Sequence, residues 1–391
     1  MSLELDKSAW KRVKLGGVAS ASKEKVDPYD GTVDRFVAGE HMDTDDLKIH
    51  RWGDPDEVDL GPAFHRRFRP GQVLYGSRRT YLRKVAVADF DGVCANTTFV
   101  VETKDPRLLL QEFLPFVMMS EPFHAFAIAE SKGSVNPYVN WSDIARFEFD
   151  LPPLDEQKRI AGLFWALENH KQTLKKQAAE LVRLATETFE SVTVKSEVTQ
   201  LSAWVERIDA GRSPRAAAEP ARDGELGVLK VSAIGHDAFV PEENKRLLDA
   251  ADFRETDIVR AGDVLVTRAN AVVDNVARPC IVNCDFTNLM LSDKTLRLVP
   301  RQGYPSRVLL AALRSPTYRA YVREVVNGTE AKNISQAKIL AGPVPTLQPV
   351  EVEWIAKTLA SLDETSASLA LEVDALVAVK SSTLTEIFGG N

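Results

Sequence analysis

Arginine, lysine and asparagine gather in two kinds of polar loop, and each kind occurs twice. The first kind follows a glycine turn and a strand-like run. One copy reads Arg69-Pro70-Gly71-Gln72-Val73-Leu74-Tyr75-Gly76-Ser77-Arg78-Arg79, the other Arg260-Ala261-Gly262-Asp263-Val264-Leu265-Val266-Thr267-Arg268-Ala269-Asn270. Gly71 and Gly262 permit the turn that launches each strand. Beyond it lie Arg78, Arg79, Arg83 and Lys84 with Tyr81 among them, and Arg268 and Asn270 in the second copy; Lys294 joins this set. The second kind of loop is Ser131-Lys132-Gly133-Ser134-Val135-Asn136-Pro137-Tyr138, matched by Asn327-Gly328-Thr329-Glu330-Ala331-Lys332-Asn333. An arginine can fork onto guanine and an asparagine onto adenine in a major groove, and either can hold a phosphate. Small residues let backbone N–H groups approach an anion, to which Lys132, Asn136, Lys332 and Asn333 add donors. A solvated turn is the plainer alternative. It explains the glycines but not lysine and asparagine in both copies. The run His65-Arg66-Arg67-Phe68-Arg69 is the strongest local candidate for a phosphate contact, with Arg66 and Arg67 at its centre.

Catalysis finds little support. No glycine-rich loop ends in Lys-Ser or Lys-Thr, and no strand leads into a dinucleotide fingerprint. Asp27-Pro28-Tyr29 and Asn136-Pro137-Tyr138 lack the second proline of the amino-methyltransferase motif. The six histidines are scattered. Cys94, Cys280 and Cys284 are too few and uneven for a disulfide framework, and no second ligand pair accompanies Cys280 and Cys284. The expectation is a chain without catalytic residues, metal or cofactor of its own.

The elements that carry these loops are also duplicated. Gly133, Ser134, Ile144 and the ladder Ile160, Leu167, Leu174, Leu181 recur at a constant offset of 195 residues as Gly328, Thr329, Ile339 and Ile355, Leu362, Leu369, Leu376. Apolar residues every seven positions are the 3.5-residue period of a coiled coil. A second row holds Phe164, Ala178, Ala185 and Val192, with a gap at Lys171; its counterpart holds Leu359, Val373 and Ile387, with gaps at Ser366 and Lys380. The prolines of Leu151-Pro152-Pro153-Leu154 delay the first helix until Asp155, the expected N-cap. The two ladders are best satisfied by each other. A helix of about 33 residues would span roughly 50 Å, enough to hold two globular parts well apart. The division expected is a mixed domain over 1–150, a long helix over 151–197, a second mixed domain over 198–343 and a second long helix over 344–391. The fold class expected is α+β, with two similar mixed α/β domains separated by a pair of long antiparallel coiled-coil helices in pseudo-two-fold arrangement.

A chain of 391 residues, 44% hydrophobic and 27% charged, is an ordinary globular one of two or three domains. No apolar run approaches the roughly 18 residues of a membrane span. Met1 to Lys14 lack the apolar block of a signal peptide, so a cytoplasmic location is expected. The net charge of −7 disfavours a simple DNA-coating protein and leaves room for a partner that supplies backbone contacts.

The run Leu151-Pro152-Pro153-Leu154-Asp155-Glu156-Gln157-Lys158-Arg159-Ile160-Ala161 closely resembles the junction of specificity subunits of type I restriction-modification systems, where a target-recognition domain passes into a conserved helix through Pro-Pro-Leu-x-Glu-Gln-x-x-Ile. The glycine turns and the Gly-Ser/Thr loops are similar to the same family's recognition domains. Two departures stand out. Gln348-Pro349-Val350 replaces Glu-Gln at the second junction, with two further residues before Ile355, and Arg78-Arg79 replaces the usual Arg-Gly step. The resemblance implies a non-catalytic subunit that reads a bipartite double-stranded DNA target, one half-site per domain, with the helices setting an unread spacer. Two copies of a methyltransferase subunit carrying S-adenosylmethionine would dock on it, and a translocating nuclease subunit would join them. The competing expectation is a coiled-coil adaptor that joins two proteins without touching DNA.

Overall fold

Runs of valine, leucine and aromatic residues bounded by glycine and proline form short strands in both copies of the repeat. A computed structural model describes residues 5–236, 238–326 and 332–389. It divides into two compact units, Met1–Lys175 with Leu371–Asn391, and Lys176–Ala370.

The first unit is built on an antiparallel sheet in the order Ala19–Ala21, Thr98–Thr103, Val73–Gly76, Val85–Val87. Side chains alternate between its faces. Val73, Tyr75, Val85, Phe99 and Val101 join a core with the helices Leu114–Met119 and Glu121–Ala129. Leu74, Ala86 and Val100 face the other way, onto Val37, Phe68 and Cys94 of a three-stranded sheet. Both faces are covered, which is why these strands read as continuous apolar runs. Gly92 is closely crowded by its neighbours in the three-stranded sheet: a Cβ there would stand 2.8 Å from the Arg35 carbonyl oxygen and 2.5 Å from the Phe68 ring.

The second unit repeats the plan. Its sheet runs Val205–Ala210, Thr295–Pro300, Val264–Thr267, Pro279–Ile281. Val264, Val266, Leu296 and Leu298 share a core with the helices Ser306–Arg314 and Pro316–Val325, while Leu265 and Cys280 join a separate cluster. The three-stranded layers differ. The middle strand is Gly92–Ala95 in the first unit, the last of its three in chain order, and Gly227–Leu229 in the second, the first of its three. The scaffold is thus duplicated, and the outer layer is wired differently in each copy.

Two helices of 40 residues each, Leu154–Thr193 and Pro349–Phe388, contribute to both units. In the first unit Ile160 and Phe164 share the core with Leu384 and Ile387. In the second, Phe189 packs in one cluster with Val352, Ile355 and Leu359. The start of each helix therefore meets the end of the other, an antiparallel pairing within each unit. The fold is α+β, as expected. Among the ladder positions Ile160, Leu174 and Ile355 are buried, whereas Leu167, Leu181, Leu362, Leu369 and Leu376 are half-buried.

Two details differ from the sequence reading. The first helix begins at Leu154, two residues ahead of the start that an Asp155 cap would give, so Asp155 stands in the first turn and not at the cap. Its start is pinned by Gln157, which is buried. Gln157 Oε1 accepts from the Leu110 amide (2.9 Å), and its Nε2 donates to the carbonyls of Leu108 and Pro152 (both 2.8 Å). The second helix begins 195 residues later, at Pro349, and there Glu351 accepts from the Gln348 amide (2.7 Å). The second junction thus closes its helix by a carboxylate cap, with buried Val352 at the place of Gln157.

Candidate nucleic-acid interface

In the first unit the two polar loops meet. Arg78 bridges to Tyr138 across an isolated β-pair, the Arg79 amide donates to the Pro137 carbonyl (2.6 Å), and Arg79 Nε donates to Asn136 Oδ1 (2.9 Å). Lys132 and Tyr138 exchange backbone hydrogen bonds (2.8 and 2.9 Å), closing a hairpin whose turn contains Gly133 at φ +89°. Arg79 and Arg83 themselves take left-handed conformations, at φ +51° and +52° around the turn Thr80–Leu82. Such backbone is uncommon for non-glycine residues; the bonds just described hold it at Arg79, and at Arg83 its amide donates to the Thr80 carbonyl (3.0 Å). Tyr81 on that turn, Ser134 and Tyr138 are all exposed.

The second unit shows the same meeting. Ala269–Asn270 pairs antiparallel with Lys332–Asn333, the Ile334 amide donates to the Arg268 carbonyl (3.1 Å), and the Arg268 amide donates to the Lys294 carbonyl (2.8 Å). Arg268, Lys294, Lys332 and Asn333 are thereby neighbours, and their side chains bond no other described residue. Asn270 instead uses its Oδ1 to cap a turn at the Val272 amide (3.0 Å). Thr329 lies outside the described residues.

Several expected phosphate contacts are occupied within the protein. Arg67 forks onto Asp91 (3.1 and 2.7 Å) and Arg69 onto Glu24 (3.2 and 2.6 Å). The Arg69 guanidinium holds the Glu24 carboxyl below the usual carboxylate range. Arg66 donates to the Thr98 carbonyl (3.0 Å) and lies over the Phe99 ring. Arg83 bridges Asp45 (3.0 Å) and Glu121 (2.6 Å), and Lys84 donates to the Gly39 carbonyl. Lys132 pairs with Asp143 (2.8 Å), and this bond with the Asn140 amide holds the Asp143 carboxyl low. The basic strand 65–69 is therefore a compensated structural element. Its acids lie 24 and 45 residues away in sequence, which hid them from a local reading.

A different set emerges around Ser77, which is buried. Its amide and hydroxyl both donate to the Thr97 carbonyl (2.9 and 2.7 Å), and its carbonyl accepts from the Val139 amide (3.0 Å). One serine thus fastens three loops, and between them opens a cavity of about 310 Å³. Asn96, absent from the sequence reading, lines it beside Arg78 and Tyr138. The signal available was a lone asparagine in a strand-connecting turn, which is common and uninformative by itself.

A family model for the type I restriction modification DNA specificity domain matches residues 65–183, from the basic strand through both polar loops into the first long helix. The specificity subunit of the type I restriction enzyme EcoDI from Escherichia coli is 25% identical over 194 residues, half of this chain and 43% of that protein. Both matches are to specificity components of type I restriction-modification systems. A second relative, the EcoEI specificity subunit of Escherichia coli, is 29% identical over 38% of this chain and 25% of its own length. The chain thus matches less than half the length of either relative. The fold agrees with the crystal structure of a type I restriction-modification S subunit from M. genitalium, at a TM-score of 0.54 and 12% identity, covering 100% of this chain and 99% of that one. Among the described residues, no helix is long and apolar enough to cross a membrane.

Proposed function

We propose that this chain is the DNA-specificity subunit of a type I restriction-modification complex in the cytoplasm, reading a bipartite double-stranded target with one half-site per recognition domain, over residues 1–150 and 198–343. The observation that carries this reading is the meeting, in both units, of two polar loops that are far apart in sequence. Arg78 with Tyr138 and Arg79 with Asn136 in the first unit, and Arg268 with Lys294, Lys332 and Asn333 in the second, form directional donor clusters on a rigid sheet scaffold. Base edges are recognised by such donors, while phosphates are recognised mainly by net positive charge. Wired differently in each unit, the three-stranded layers suit two unlike half-sites. The paired helices would fix the spacer, and no observation favours an adaptor without DNA readout.

In this reading the chain supplies sequence choice and no catalytic group. Methyl transfer, with its S-adenosylmethionine, belongs to the methyltransferase subunits, two of which would dock on one chain; a translocating nuclease would complete the assembly. Partners that share the phosphate contacts agree with the net charge of −7 and with the internal pairing of Arg67, Arg69 and Arg83. Electrophoretic shift of the reconstituted methyltransferase complex on its methylated target tests the proposal. Preference over scrambled DNA supports it, and equal affinity for both contradicts it.

A further inference from the structure

The groove around Ser77 differs in its chemistry from the ion-paired basic residues of the first unit. Arg67, Arg69, Arg83 and Lys132 each face a carboxylate. None of the residues lining this groove is acidic. Three of its side chains, those of Arg78, Asn96 and Tyr138, form no hydrogen bond or ion pair with any described residue. Their backbones are nonetheless held. Asn96 donates its amide to the Ala63 carbonyl (2.8 Å), Tyr138 is locked in its hairpin with Lys132, and Arg78 sits between Ser77 and the tethered Arg79. Phe99, buried and packed edge-on against Trp141, gives the groove an apolar floor.

Fixed backbone, unused planar donors and absent carboxylates define a preorganised reader of neutral, hydrogen-bonding edges. A phosphate site would gather compact positive charge, and here only Arg78 is an uncommitted cation. We infer that Asn96 and Arg78 are specificity-determining residues of the first unit, reading an adenine and a guanine on neighbouring base pairs of one half-site. The inference rests on the proposed DNA-reading function and assigns base identity within it. The Asn96 amide matches adenine N6 and N7 as donor-acceptor pair, and the Arg78 fork matches guanine O6 and N7. Both side chains line one cavity, and successive base pairs stack only about 3.4 Å apart, so neighbouring pairs are within their joint reach.

The test uses the full chain reconstituted with its methyltransferase on a DNA library randomised across the target, with the methylated molecules sequenced. Asn96→Ala is expected to erase the preference for adenine at one position of one half-site, by roughly 10- to 100-fold, and to leave the other half-site untouched. Arg78→Lys keeps the charge but loses the fork, so it should relax a guanine position while overall DNA affinity holds. Variants that retain every preference of a selective wild-type complex overturn this inference alone. So does a uniform loss of binding across all sequences, which marks a phosphate contact. A wild-type complex with no sequence preference overturns both this inference and the function it rests on.

Discussion

Lys380 Nζ donates to Glu168 Oε1 inside the first unit, joining the two long helices across 212 residues of sequence. Both side chains are buried, and Glu168 Oε2 lies 2.8 Å from Lys171 Nζ, also buried. Asp46 stands 3.8 Å from Lys171 and 3.3 Å from Lys175. Lys171 and Lys380, which interrupt the apolar heptads, are thus the two cations of a buried ionic cluster. At the places displaced by the repeat offset, the second unit has Asp363, Ser366 and Ala185, and Asp363 pairs instead with Arg307 (2.6 Å) at an exposed site. A buried charge pair costs desolvation but penalises other pairings heavily, so it specifies register more than it stabilises.

The cluster makes a stability prediction. Lys380→Met leaves Glu168 buried with one cation fewer and should cost about 3 kcal/mol in urea unfolding. Adding Glu168→Leu removes the stranded charge and leaves Lys171 facing Asp46. The double variant should recover most of that loss; a double variant as unstable as the single would show that the pair holds the helices by net attraction.

His124 predicts an acid response. It lies on the helix Glu121–Ala129, 1% exposed, and neither ring nitrogen has a hydrogen-bond partner among the described residues. Burial, reinforced by the Arg83 charge, pushes its imidazole down to about 3. Between that value and the ordinary histidine range the unfolded chain binds a proton that the folded chain refuses. Stability of the first unit is therefore full above about pH 6.5 and falls as pH drops toward 3, by up to roughly 1.4 kcal/mol per pH unit. His124→Leu should flatten that slope in denaturant titrations across this range, and an unchanged slope would place the acid response elsewhere.

The helices predict a contrast between two leucines. Leu174 is buried in the first unit, whereas Leu371 on the second helix is 71% exposed. Leu174→Asp should cost several kcal/mol by burying an unpaired charge, whereas Leu371→Asp should change stability by no more than about 0.5 kcal/mol. If the proposed methyltransferase subunit covers Leu371, Leu371→Asp should weaken its capture in pull-down with melting unchanged; wild-type capture would place the docking surface elsewhere.

Salt dependence follows from the paired arginines. Each phosphate neutralised contributes a slope of about −0.9 in log affinity against log salt. With Arg67, Arg69, Arg83 and Lys132 engaged internally, the isolated chain should show a shallow slope that steepens once the methyltransferase is added. A steep slope for the chain alone would mean that these pairs open on DNA.

Much of the fold was legible because it depends on periodicity. The ladder from Ile160 and its repeat from Ile355 mark the helices, and Gly71 and Gly262 mark equivalent strand starts. The polar loops were legible as types, since Lys132, Asn136, Lys332 and Asn333 stand out locally, but not as partners. What remained hidden depends on long-range pairing. The acids that neutralise Arg67 and Arg69 come from other loops, Ser77 looks ordinary until Thr97 and Val139 reach it, and Asn96 matters only through the cavity it lines. The difference in strand order between the three-stranded layers leaves no periodic trace, because two- and three-residue strands are too short to show one.

The central claim is that each unit reads its own half of a divided DNA target. The direct test is to sequence modified bases after reconstitution with the methyltransferase, using the wild-type chain and a chain in which residues 198–343 are exchanged for those of a relative. The account predicts a two-part methylated sequence with an unread spacer, of which the exchange alters one part and leaves the other part and the spacer length unchanged. A single continuous motif, or changes in both parts at once, would contradict it.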